Sequence, residues 1–137
     1  MAYDLIAEYK FKLGDNFQET IIFEELDTDG ASVALPLPTR ASLHIRQSPG
    51  GTVLARLDSD AAAVPARDGT VSISATATNG IQLAINLAGA KSVTWPANVT
   101  LVGDVQMLFA AGASLPSPWT AGEIQLQTYI DNTEVTA

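Results

Sequence analysis

The chain has 137 residues, fifteen acids against seven bases, one histidine and a net charge of −8. That length gives one domain over residues 1–137, with enough buried surface to fold without covalent staples. The absence of cysteine excludes disulfides, thiolate zinc sites and thiol catalysis. The acidic balance argues against nucleic acid and anionic membrane as partners.

In residues 2–13, Tyr3, Leu5, Ala7, Tyr9, Phe11 and Leu13 alternate with Asp4, Glu8, Lys10 and Lys12, which predicts a first strand with one charged face. Ile6 interrupts that face. This opening lacks the positive flank and apolar run of a secretory signal, and no apolar run approaches the ~18 residues of a membrane span. The expectation is a protein made in a cytoplasm. Gly14-Asp15-Asn16 marks a turn. A second strand over 17–25 points Phe17, Ile21 and Phe23 inward and Gln18, Thr20 and Glu24 outward, with Ile22 apolar on the wet face. Glu24 and Glu25 are neighbours on a strand, face opposite ways and cannot act as a carboxylate pair. Asp27-Thr28-Asp29-Gly30 resembles the start of a calcium loop, but Ala31 and Pro38 stand where further acids are needed, so turn chemistry is the better reading. Residues 31–39 begin as a short strand and meet Pro36 and Pro38, which places them at an edge or at a crossover between sheets.

Residues 40–58 read as a hairpin. Ala41, Leu43 and Ile45, then Val53, Ala55 and Leu57, supply the inward faces around Ser48-Pro49-Gly50-Gly51. Residues 59–68 form a long loop. Val71, Ile73, Ala75 and Ala77 lead to Asn79-Gly80 and then to Ile81, Leu83, Ile85 and Leu87, a second hairpin in which Gly80 is expected at φ > 0. Residues 88–95 predict a short helical turn, stopped by Pro96. The strand from Asn98 to Phe109 turns Val99, Leu101, Val105, Met107 and Phe109 inward, with Gly103 at a bulge or a close backbone approach. Residues 110–120 form an exposed, proline-rich loop. The last strand, Gly122 to Asp131, turns Ile124, Leu126, Thr128 and Ile130 inward, and a frayed polar tail follows. The pattern as a whole predicts an all-β single antiparallel β-sandwich of 7–8 strands.

The chemistry-bearing residues are few. His44 lies on a polar strand face without a nucleophile beside it, and Asn98-Val99-Thr100 is a sequon without a secretory context. These residues supply no catalytic, cofactor or metal site. A contact surface is the better candidate. Ile6, Ile22, Leu54, Val102 and Leu108 are apolar at outward positions, and Trp95 and Trp119 fall in loops. Leu115 and Trp119, set among prolines, read as a pre-ordered apolar knob.

Tyr3-Asp4-Leu5, the run from Arg46 through Val53 (RQSPGGTV), Gly103-Asp104-Val105 and Val135-Thr136 resemble a family of small bacteriophage and prophage structural proteins. The same elements are similar to the immunoglobulin-like N-terminal domain of phage baseplate upper proteins. The resemblance implies an immunoglobulin-like sandwich in the virion, acting in the tail or baseplate as an adaptor toward fibres. Its implied partners are other phage structural proteins and further copies of the chain, without cofactors and without enzymatic activity. Three other readings compete: a capsid decoration protein, a tail-fibre carbohydrate-binding module using Trp119, Trp95 and Tyr129, and a small hydrolase. Fractionating particles into heads and tails separates the first from the tail reading, and a glycan array tests the second.

Overall fold

Alternation of apolar and polar side chains is realised as strands throughout. The computed structural model describes residues 5–130, which carry β1 (Leu5–Lys12), β2 (Phe17–Phe23), β3 (Glu25–Leu26), β4 (Ser32–Val33), β5 (Arg40–Arg46), β6 (Val53–Asp58), β7 (Gly69–Ala75), β8 (Ile81–Leu87), β9 (Thr100–Leu108) and β10 (Trp119–Tyr129). A 3-10 turn, Gly89–Lys91, stands where the short helical turn is expected. Tyr3, Asp4, Val135, Thr136 and the polar tail lie outside the described residues, as does the side chain of Ile6.

Eight strands form one mixed sheet in the order β1-β10-β9-β5-β6-β7-β8-β2, nearly closed into a barrel, and β3 and β4 pair separately. Antiparallel pairing throughout is therefore corrected at two seams. β1 runs parallel to β10 along its whole length, from Leu5↔Gly122 to Lys12↔Tyr129. β6 runs parallel to β7 over only Leu57↔Gly69 and Asp58↔Thr70. The second seam has a plain cause: the long 59–68 connection carries the chain across instead of back, and parallel neighbours require such a crossover. Closure also follows from the chain. β1 and β2 occupy opposite edges of the sheet yet are joined by a tight turn, so the sheet must curl to bring them together. Phe17 of β2 meets Tyr9 and Phe11 of β1 edge-on, with ring centroids 5.9 and 5.3 Å apart.

The core contains the inward set of each strand: Phe17, Ile21 and Phe23, Ala41, Leu43 and Ile45, Ile81 through Leu87 at alternate positions, and Leu101, Val105, Met107, Ile124 and Leu126. Gly103 falls on this inward face, where Leu43 and Ile124 close over it, so it is a close approach and not a bulge. The β5–β6 turn forms as expected, with the Gly51 amide donating to the Ser48 carbonyl at 2.8 Å and Gly50 at φ 70°. In the β7–β8 hairpin the left-handed residue is Asn79 (φ 59°), which corrects the assignment of that role to Gly80. Gly80 is needed for space instead, since a Cβ there would lie 2.5 Å from the Phe23 carbonyl oxygen.

Candidate functional site

Ser42, His44 and Arg46 of β5, Arg56 and Asp58 of β6, and Asp104 and Gln106 of β9 lie together on one polar face of the sheet. Register places His44 between Arg56 of β6 and Asp104 of β9, and Ser42 between Asp58 and Gln106. The 59–68 loop then folds over one end of this face. Its start is tied down by a Ser59 amide bond to the Ala41 carbonyl (2.9 Å) and an Ala41 amide bond to Ser59 Oγ (3.0 Å). Its end is tied by reciprocal bonds between Asp68 and the Arg56 backbone, at 2.6 and 2.8 Å. Arg67 reaches back from the loop to donate from Nη1 to the Asp58 carbonyl at 3.1 Å. The result is a cavity of about 170 Å³ walled by Arg40, His44, Arg56, Asp58, Arg67 and the Val64-Pro65 corner. A second hollow on the same face is lined by Ser42, His44, Arg46, Asp104, Gln106 and Thr120.

The charges here are arranged unevenly. Arg40 grips buried Asp58 with two parallel bonds, Nε to Oδ1 at 3.0 Å and Nη2 to Oδ2 at 2.6 Å. Burial alone would raise the Asp58 carboxyl, but the Arg40 bonds and the Asp60 amide outweigh it and hold it below the ordinary range. Arg46 donates to the Gly51 carbonyl at 2.9 Å and lies 3.8 Å from Asp104, a long pair. Burial, with Arg46 and Arg56 nearby, pushes His44 below its usual value. Ser42, His44 and Asp104 share this face, but no hydrogen bond links His44 to either among the described residues.

No family model matches the chain, and no curated protein matches it.

The structure redistributes the expected contact residues. Trp119 is buried, as the first residue of β10, and its ring packs with Phe23 and Phe109 at 6.4 and 6.1 Å. Its placement in an exposed loop is corrected. Trp95 is likewise buried against Phe11. Val102, outward in register, is buried where the long side chains of Arg46 and Gln125 flank it on the adjoining strands. Leu54 and Leu115 are partly buried against the core, so neither is a free knob. Leu108 is half-buried and lines the cavity under the loop. Among the described residues of the expected set, only Ile22 is widely open, at 51%. Val99 and Ile130, read as inward, are exposed at the strand ends. Asp27 spends its Oδ1 on the amides of Asp29 and Ala31, both at 2.9 Å, as the turn reading requires.

Proposed function

We propose that this chain is a non-enzymatic structural protein of a bacteriophage particle, with an immunoglobulin-like fold, held in the tail or baseplate by contacts with other structural proteins and with further copies of itself. The fold reading is supported by how the sheet divides. β1-β10-β9-β5-β6 and β7-β8-β2 are each fully laddered and meet along one short parallel contact, which resembles two sheets facing each other over a shared core. The phage reading is supported by the RQSPGGTV run, which makes the β5–β6 turn, and by Gly103-Asp104-Val105 at the centre of β9.

The observation that carries the contact reading lies where the chain leaves β2. Ile22, Leu26, Val33 and Leu37 are 51%, 60%, 38% and 47% exposed within sixteen consecutive residues. Single exposed apolar residues are ordinary, whereas four of them along one stretch of chain, the first on the edge strand β2, fit an association surface. The direct test is detection of the chain in purified particles split into heads and tails. Presence in tails is the expected result, presence in heads favours a decoration protein, and absence from both refutes a virion role. An Ile22→Lys, Leu26→Lys double variant is expected to fold as the parent does and fail to enter particles. Turnover of an ester, glycan or phosphoester that disappears on changing His44 would refute the non-enzymatic reading.

A further inference from the structure

All four arginines of the sequence, in a chain of only seven bases and net charge −8, gather on the polar face of β5 and β6 and the loop above it. We infer that the cavity beneath the 59–68 loop is a binding site for a single oxyanion group, a carboxylate or a phosphate. This inference does not depend on the virion reading.

The three arginines in the cavity wall have different employments. Arg40 is neutralised by Asp58, and Arg67 is committed through one nitrogen to the Asp58 carbonyl. Arg56 has no hydrogen bond or ion pair from its guanidinium among the described residues, although it is half-buried in the wall. A partly desolvated cation without a partner is costly, and a bound anion is what relieves that cost. Among the lining residues three guanidinium groups meet the one carboxylate of Asp58, while Asp60, Asp68 and Asp104 stand around the cavity without lining it. The overall negative charge does not cancel this, because salt screens charges beyond about 8 Å.

Size and order agree with a small group. About 170 Å³ is roughly the share of five or six waters, well under the several hundred Å³ of pockets for drug-sized ligands. Ser42 and Gln106 add neutral donors to the wall. Because both ends of the loop are already hydrogen-bonded, little ordering remains to be done on binding.

The experiment is a nitrogen-15 NMR titration of the whole chain with sodium phosphate and, separately, sodium acetate, each against chloride at equal ionic strength. The expected result is saturable shifts confined to Ser42, His44, Arg56 and Arg67. Arg56→Gln should lose about tenfold or more in affinity, the size of one charge-assisted contact. Lys10→Gln, the same charge change on β1, should bind as the parent does. A peptide with a glutamate, beside its glutamine twin, separates the sources. Saturation by the glutamate peptide alone assigns a partner's side chain, and saturation by phosphate or acetate alone assigns a free ion. Linear shifts in every arm, or unchanged affinity in Arg56→Gln, overturn the inference. Should Arg56→Gln misfold, Arg56→Lys keeps the charge but loses the fork of donors. Weakened saturable binding by that variant supports the site, and unchanged binding overturns it.

Discussion

A Cβ on Gly103 would lie 2.7 Å from Ile124 Cγ1 and 2.9 Å from Leu43 Cδ1, and both of those side chains are fully buried. Neither can swing into solvent to make room, so Gly103→Ala is expected to cost about 1–3 kcal/mol as overpacking, read from the urea midpoint. Trp119 poses the reverse problem. Its ring fills the space between Phe23 and Phe109, and Trp119→Ala should cost about 3–5 kcal/mol through the cavity left behind. A thermal midpoint equal to the parent's would return Trp119 to the surface. At Asp58 the question is one of charge. Arg40→Met would strand a buried carboxylate, and because the Arg40 side chain is itself 38% exposed the cost should sit near the low end of the range for broken pairs, about 3 kcal/mol. The folded state holds this carboxyl below its usual 3.8. Its contribution is thus present above that value and lost as the pH falls through the lowered one. Parent stability should fall more steeply below about pH 4 than that of Asp58→Asn. Equal slopes would mean that the pair does not govern acid unfolding.

The elements themselves differ in how much of them could be read in advance. β5 and β8 alternate cleanly and β9 does so except at buried Val102, and their inward residues Ala41, Leu43, Ile45, Ile81, Leu83, Ile85, Leu87, Leu101, Val105 and Met107 are buried as expected. β10 defeats the same rule. Ile124, Leu126 and Thr128 are inward at even positions, yet Trp119 is inward at an odd one, because the register shifts between Thr120 and Gly122. A bulge reverses the phase of alternation, and prolines just before it disguise the strand as loop. The polar face was partly legible, since Arg40, His44, Arg46 and Arg56 occupy outward strand positions. Arg67 was not, because its return to the Asp58 carbonyl depends on where a crossover loop lands. The β7–β8 loop was legible as a hairpin, but not in its detail. The Asn79 amide donates to the Thr76 carbonyl and the Thr76 amide to the Gly80 carbonyl, so five residues make the loop and Asn79 takes the left-handed place. Asn79→Ala should therefore cost about 1 kcal/mol. Gly80→Ala should cost more, because backbone at Phe23 cannot give way. The opposite order in urea midpoints would restore the two-residue turn.

At the scale of the whole molecule the two halves of the sheet are joined unequally. β5 is laddered to β9 over seven residue pairs, from Arg40↔Leu108 to Arg46↔Val102, and β9 to β10 over nearly all their length. The seam between β6 and β7 has two pairs, and the other approach of the halves, between β1 and β2, is made by aromatic edges and a turn. Hydrogen bonds resist opening cooperatively where ladders are continuous, so a partial opening should follow the seam and release β7-β8-β2 as a unit. What opposes it is the shared core: Phe17, Ile21, Leu83 and Leu87 on one side, Leu43, Leu101 and Leu126 on the other. Native-state hydrogen exchange at rising sub-denaturing urea should then show two classes. Amides of β5, β9 and β10 should exchange only through global unfolding, and those of β2, β7 and β8 together at lower free energy. Substituting Phe17 by leucine weakens the β1–β2 contact and should lower the second class more than the first. A single class, with every strand exchanging at the global free energy, would mean that burial across the core couples the halves more tightly than the short seam implies.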